Sequence, residues 1–480
     1  MLCSSVCAPS REDGIAHVTA TPAGGHQCWH ARLYPYGEVG ANNMNVDMKT
    51  RLHWLMGYGL PRAMLKLLAH RGDPFAQLLI DCNQPNNAHQ LVEQIRQRGR
   101  ISAVLSNGWV TADAQIVRDV LRDDRFRTAK PPDRSQFRVV QRMLARTNPG
   151  VLNGLEPPSL LVVDPPEHAR LRRLVSRAFT PRAIDGLRHR IQEIASALLD
   201  DLRDKTSCDL VSNYASRIPI EVIAEMLGIP HDEIPRLYAY AEPGAKLLTT
   251  TAPSWRDFQT AMAALREFED YIAAHIERLR RGRADDSILS AVLNDSDLTD
   301  VEVRMFAGLL LGAGFITTAH AFGNAVVALV GHPDQLAHLL AHPEGWPDAV
   351  EETLRYDSVA QIGLRVATET LQIEGHTVRE GSAVFLLVAG ANHDPAIFER
   401  PDEFDATRAN ARDHIGFGTG IHVCLGAPLA RMELHIGLQA LFERFPHLAL
   451  ADEPTPNNST LLHGIKHLPV NLGPARVNTG

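Results

Sequence analysis

Cysteine is scarce in this chain of 480 residues: six are scattered at Cys3, Cys7, Cys28, Cys82, Cys208 and Cys424, with no CxxC pair. That spread does not suit a disulfide scaffold and points to a reducing, cytoplasmic setting. Charge of one sign is lacking too. Lys and Arg number 48 against 56 Asp and Glu, a net charge of −8, so nothing argues globally for nucleic acid as a partner. A long hydrophobic run is also missing near the start. The first apolar stretch, "LHWLMGYGLPRAMLKLLAHRG" (residues 52–72), carries Arg62 and Lys66 and is broken by Pro61. It fails the requirement of roughly 20 apolar residues for a membrane span and reads as an amphipathic surface helix, so no transmembrane anchor is expected. Residues 1–47 have no basic segment followed by an apolar run, hence no signal peptide. They read as a disordered tail, and 48–480 as a single domain.

What is present is an ordinary globular composition, 45% hydrophobic and 22% charged. Residues 85–345 show helical periodicity, with amphipathic stretches at 182–205 and 255–281. Residues 127–158 are mixed and weakly periodic, which predicts a long loop of the binding-lid kind. After residue 362 the pattern alternates, with turns at Gly375 and Gly381. The fold class expected is mainly α with a minor antiparallel β region. Thr299 and Glu302 make a capping box, and Gly331 with Pro333 makes a stop, predicting one long helix over 299–330.

Four groups of residues carry candidate chemistry. In "LLGAGFITTAH" (310–320), Ala313 and Gly314 lie beside the Thr317 hydroxyl on adjoining helix faces, where small side chains admit a flat ligand or a close helix crossing. Thr317 can equally bond back to its own preceding turn. Glu352 and Arg355 stand at i and i+3, and His168 and Arg172 at i and i+4, where they form either an anion clamp or a solvated basic face. The fourth is "HIGFGTGIHVCLGAPLAR" (414–431). A thiolate ligand needs a loop whose backbone offers N–H groups to sulfur. Gly418, Gly420 and Gly426 give conformational freedom, Phe417 can shield the sulfur, His422 can reach an anion beside it, and Pro428 suits the first turn of a following helix. Cys424 could also be a nucleophile, or with His422 part of a zinc site, although zinc wants about four ligands and no second pair is evident.

"FGTGIHVCLG" resembles the haem-binding loop of the cytochrome P-450 superfamily, the haem-thiolate monooxygenases, and the likeness extends in order over about residues 70–472. "HARLR" resembles the start of the family's C helix, "AGFITT" the oxygen-binding groove of its I helix, and "ETLR" its K-helix pair. "ANHDPAIFERPDEFDATR" is similar to the segment leading to the haem loop. The style is that of soluble bacterial, particularly actinobacterial, members. The resemblance implies the cytochrome P-450 fold, with haem b between the I helix and the L helix. It implies Cys424 as axial ligand of the haem iron, within a loop that includes Phe417, Gly418 and Gly426. His168, Arg172, Arg365 and His422 would bind the propionates, and Glu352 and Arg355 would be structural. Ala313, Gly314 and Thr317 would lie over the iron, with Thr317 helping to deliver protons. Thiolate ligation favours O–O cleavage of dioxygen.

Two departures stand out. Ile316 occupies the place where the family usually has Asp or Glu, which leaves proton delivery to ordered water, Thr317, Thr318, a substrate hydroxyl or His320. Glu403 stands where an Arg often contacts the Glu-Arg pair, and Arg408 would complete that network instead. No flavin or dinucleotide fingerprint is evident, so electrons must come from outside. The resemblance implies a ferredoxin and an NAD(P)H-dependent ferredoxin reductase, with Arg170, Arg173 and Arg177 as a candidate basic docking patch. The expected enzyme is a cytoplasmic monomer hydroxylating or epoxidising a lipophilic small molecule such as a polyketide, fatty acid, terpenoid or steroid. Its pocket would be lined by 127–158, 228–262, the start of the long helix, 358–364 and 458–467. Peroxide-driven chemistry, coupling, dehydration or desaturation on the same fold is the alternative that Ile316 suggests.

Overall fold

Thr299 and Glu302 start the longest helix as their spacing predicts. The Glu302 N–H donates to Thr299 Oγ1 (3.3 Å) and the Thr299 N–H to Glu302 Oε2 (2.7 Å), satisfying two donors that a helix start leaves orphaned. The helix runs over Asp300–Leu309, widens into a π turn at Leu310–Phe315 and resumes over Ile316–Gly331. By length and composition it could cross a bilayer, but more than half of its apolar window is buried in protein. Ala321, Phe322, Ala325 and Val326 belong to the main core instead.

In the computed structural model, residues 48–80, 85–104, 107–129, 138–176, 179–282, 287–294 and 297–475 are described. The expected tail, Cys3, Cys7, Cys28, Cys82 and Arg177 lie outside them. Pro61 does not break the first helix. Met48–Trp54 continues through a π turn, Leu55–Gly59, into Leu60–His70, and Pro61 sits just past that turn, where the hydrogen-bond ladder changes register. Leu60, Met64 and Leu67 are exposed at helical spacing, the amphipathic face the sequence implied. Trp255–Arg281 is one helix as expected, whereas 182–205 is two, Pro181–Gly186 and Arg188–Asp200. Residues 127–158, read as loop, contain the helix Arg138–Thr147, and 130–137 are outside the described residues.

The sheet is larger and less local than alternation after residue 362 suggested. Five strands lie in the order Ser102–Val104, Gly108–Thr111, Ala383–Leu387, Ile362–Ala367, Phe126–Thr128. One pair is parallel, Gly108–Thr111 against Ala383–Leu387, and the others are antiparallel. Leu371–Ile373 and His376–Val378 form a separate hairpin turning at Gly375 (φ 77°). The strand Ile362–Ala367 therefore presents Arg365 from the middle of the sheet rather than from an edge.

Behind the site, the second half of the long helix packs against the helices Trp346–Tyr356 and Ala427–Arg444. Phe322, Trp346 and Phe442, one from each, are fully buried in one cluster. Each side chain of this size stabilises the fold by about 1.5–3 kcal/mol. This three-helix contact sets where the segment 414–426, which leads into the last of those helices, can lie.

Candidate active site

The loop before Ala427–Arg444 closes on itself through its backbone. Gly418 N–H donates to Ile415 O (2.8 Å), Cys424 N–H to Phe417 O (2.9 Å) and Val423 N–H to Gly420 O (3.1 Å). Gly420 is required twice over: its φ is +74°, and a Cβ there would lie 2.5 Å from the Leu121 carbonyl. Arg122 Nε donates to Thr419 Oγ1 (3.0 Å), so the helix Ala114–Arg122 grips the loop from outside. Gly418 is also left-handed (φ 69°), but Gly426 is not: its φ is −82°, so the freedom expected of it is unused. What Gly426 contributes is its N–H. Burial pushes the Cys424 thiol pKa up, against the Gly426 N–H, Arg172, the Ala427 N–H and Arg431, which favour the thiolate. Cys424 is crowded on its loop side and still exposed on the other. Pro428 falls in the first turn of the helix, as expected.

The four basic residues named from sequence come together. The rings of His168 and His422 lie 4.2 Å apart between centroids. Burial, then His168 and Arg365, bring His422 down to about 4, and burial with Arg172 lowers His168. Burial also lowers Arg365 and Arg172, with the Cys424 thiolate pulling Arg172 the other way. Among the described residues neither guanidinium has a carboxylate within salt-bridge distance, and the buried His168 Nε2 has no hydrogen-bond partner. A buried ring nitrogen without a partner, beside two guanidiniums that no carboxylate neutralises and two imidazoles whose charged forms are disfavoured, describes a cradle for an anionic group. Together with the open thiol and its two amide donors, this fits a flat, dianionic haem.

On the long helix, Ala313 and Gly314 sit in the π turn and Thr317 just past it. Thr317 is half-buried and its hydroxyl donates to Ala313 O (2.6 Å), while Thr318 is buried and donates to Gly314 O (3.0 Å). Gly314 serves a close crossing: a Cβ there would meet Ile223 Cδ1 at 2.8 Å. Leu425, beside Cys424, packs into the cluster that holds Phe315, Ile316 and Ala319, which brings loop and helix together. Ile316 is buried among apolar neighbours there. His320 is not in its place; its Nε2 accepts from Asn457 Nδ2 (2.8 Å), and burial with His463 lowers its pKa to about 4. Upstream, an apolar pocket is lined by residues including Leu152, Leu248, Phe268, Met305 and Leu309, with Glu269 and Arg304 paired at 3.4 Å. Residues 358–364 and 458–467, expected to line a pocket, do not line this one.

Glu352 and Arg355 are fully buried and paired two-fold, Nε to Oε2 at 2.7 Å and Nη2 to Oε1 at 2.8 Å. Arg408 Nε reaches both Glu352 oxygens at 3.1 Å, whereas Glu403 points its carboxylate to Arg400 and offers only its carbonyl to Arg355 and Arg408. Sequence reasoning missed the neighbouring Glu351. His414 Nε2 donates to it (3.0 Å), as does Arg431 through Nε (2.6 Å) and Nη2 (3.0 Å). His414 Nδ1 accepts from Gly416 N–H, which puts the ring proton on Nε2. Burial opposes ionisation of Glu351, but these donors outweigh it and hold its carboxyl down at about 2. Both ends of the stretch 414–431 thus clasp one carboxylate, a signal that lay in the doubled "EE" of "EETLR". Of the basic patch, Arg170 is tied up internally with Glu167 and Glu302, Arg173 is exposed, and Arg177 is outside the described residues.

Comparison with known proteins gives a consistent result. A family model described as cytochrome P-450 matches residues 153–341 and 347–471. The chain is 37% identical over 441 residues to the putative cytochrome P-450 140 of Mycobacterium tuberculosis, covering 89% of this chain and 99% of that one. It is 40% identical over 326 residues to vitamin D(3) 25-hydroxylase of Pseudonocardia autotrophica, covering 66% and 78%. Among solved structures, the bacillaene polyketide synthase cytochrome P-450 PksS of Bacillus subtilis superposes with a TM-score of 0.70 at 32% identity, covering 80% of this chain and 97% of that one.

Proposed function

The chain belongs to the cytochrome P-450 family and is a haem-b monooxygenase, and we propose that it hydroxylates or epoxidises a lipophilic small molecule with electrons from a ferredoxin and its NAD(P)H-dependent reductase. Haem b supplies dioxygen binding and reductive O–O cleavage when bound. In this reading Cys424 ligates the iron through a thiolate tuned by the Gly426 and Ala427 N–H groups. His168, Arg172, Arg365 and His422 hold the propionates, and Phe417, stacked under Arg431 at 4.6 Å, backs the loop. Thr317, bonded to Ala313 O, holds a proton beside the cleft and passes it on when its hydroxyl turns. Glu352, Arg355 and Arg408 keep the helix behind the loop in place. The observation that carries the reading is the orphaned, buried Nε2 of His168 beside His422, the two guanidiniums of Arg172 and Arg365, and an open thiol.

The apolar pocket supports a lipophilic substrate of the polyketide, fatty-acid, terpenoid or steroid kind. Two relatives are named for polyketide biosynthesis and for vitamin D(3) 25-hydroxylation. The free Cys208 and Cys424 support a reducing, cytoplasmic setting, with residues 48–480 acting as one catalytic domain and as a monomer. A second reading rests on Ile316: with no acid at that position, the fold would instead use peroxide or carry out coupling, dehydration or desaturation. The test is spectral titration of the purified holoenzyme with a lipophilic metabolite panel, then turnover with ferredoxin and reductase. A red-shifted Soret band of the reduced carbon monoxide complex and a product gaining one oxygen are expected. A product without added oxygen, or turnover that peroxide supports and ferredoxin with reductase does not, would favour the second reading, and absence of the band would overturn the assignment of Cys424.

A further inference from the structure

We propose that His89, His393 and Asp402 form a surface site for one divalent transition-metal ion of the zinc type, away from the cysteine loop. His89 stands on the helix Pro85–Arg96, His393 follows the short helix Val388–Asn392, and Asp402 lies in the turn beyond. One ligand atom from each falls within 4.8 Å of the others. His89 Nε2 is 3.3 Å and His393 Nδ1 2.9 Å from the same Asp402 oxygen. Ligands about 2.0 Å from a tetrahedral zinc ion stand about 3.3 Å apart. The first separation already matches, and the exposed Asp402 side chain is free to open the second by a few tenths of an ångström.

The hydrogen bonding of His393 is what points to a cation. Its Nε2 is 2.8 Å from the Tyr356 carbonyl, which can only accept, so Nε2 carries the proton. Its Nδ1 then faces a second acceptor, the Asp402 carboxylate. A neutral imidazole has one proton for these two acceptors. The arrangement is satisfied by a second ring proton or by a metal ion in its place. Orientation of a ligating histidine through its other N–H to a backbone carbonyl is the usual outer support of such sites.

The frame around the ligands is rigid. Asn392 O accepts from Arg355 (3.0 Å), and Asp394 accepts from the Ala114 N–H (2.8 Å) and lies 3.7 Å from Arg96, so the residues on either side of His393 are pinned. Arg96, on the helix of His89, donates to Gly390 O (2.8 Å) and Ala112 O (3.1 Å). Two imidazole nitrogens and one carboxylate, with one open side, suit zinc, nickel or copper rather than calcium or magnesium. A bound ion would tie the helix Pro85–Arg96 to the turn whose Asn392 and Pro401 carbonyls receive Arg355. This inference does not depend on the substrate or redox partner proposed above.

The test uses the full-length holoenzyme, stripped with a chelator, re-equilibrated with micromolar Zn²⁺ and analysed for zinc by mass spectrometry, with affinity from calorimetry. One zinc equivalent is expected in the parent protein beyond that retained by His89→Ala, Asp402→Asn or His393→Ala. Affinity at that site should fall by roughly a hundredfold in each, since loss of an outer-shell partner alone costs about 10–100-fold. His89 and Asp402 are exposed, so these variants keep the fold, as an unchanged carbon monoxide spectrum would show. Equal zinc content in all four proteins would mean that other histidines hold it, and either that result or no zinc in any of them would overturn the proposal.

Discussion

The cysteine loop is held from behind by carboxylates shared among several donors, whereas the long helix faces it with small residues, an apolar cluster and hydroxyls bonded to their own preceding turn. Glu352 takes Arg355, Arg408 and the Asp405 N–H; Glu351 takes His414, Arg431 and Arg412. On the helix side, Ile316, Phe315 and Ala319 interlock with no ion pair among them. Buried charge is tolerated where every oxygen is partnered, and there it fixes one geometry. Apolar packing sets shape but leaves room for exchange of side chains. The cysteine loop thus has the stiff side and the long helix the soft one.

The largest effect should come from the loop itself. Cys424→Ser is expected to abolish the red-shifted Soret band of the reduced carbon monoxide complex and all turnover, while circular dichroism stays native because the clasp around Glu351 is intact. Next, Arg355→Ala leaves Glu352 buried and half-partnered. Denaturant unfolding should show a loss of about 3–5 kcal/mol, the cost of breaking a buried pair. A loss under 1 kcal/mol would mean that Arg408 alone suffices.

Two glutamates on the stiff side sharpen the comparison through pH. Glu351 is held at about 2, below its ordinary 4.5, so its contribution is present above pH 4.5 and is lost as pH falls through about 2. Glu433 is fully buried with no ion pair among the described residues, and burial pushes it up to about 8. Its contribution is greatest below pH 4.5 and is lost as pH rises through about 8. Glu433→Gln should therefore gain on the parent protein by several kcal/mol between about pH 5 and 8, read from unfolding midpoints. A gap that stays constant with pH would exclude titration at Glu433. The smallest effect is expected on the soft side. Ile316→Glu places an acid in an apolar cluster and should cost about 1–3 kcal/mol, with no gain in product formed per NAD(P)H consumed. Tighter coupling than in the parent protein would show that the acid is missed.

Local signals were legible in the sequence. The capping box placed the long helix within a residue at each end, and the glycine spacing around Cys424 marked a loop that needs left-handed backbone at Gly418 and Gly420. Distant partners were not. The parallel pairing of Gly108–Thr111 with Ala383–Leu387 joins strands far apart in the chain, and alternation at one of them says nothing of the other. Pro61 was read as a break because the π turn before it leaves no compositional trace. Glu351 looked like half of an ordinary acidic doublet, since its donors Arg431 and His414 lie 80 and 63 positions away.

The π turn at Leu310–Phe315 has one more consequence. Such a turn holds one residue more than the α turn it replaces, and each α-helical residue advances the helix by about 100°. The two halves of the long helix are therefore out of phase, with Met305 and Leu309 turned to the pocket under one registry and Thr317 set by another. Deleting a single residue from the turn would swing every upstream side chain around the axis while leaving Thr317 and the core behind it where they are. The half of the helix that lines the pocket is thus set in rotation by the length of this one turn, apart from the half that carries Thr317.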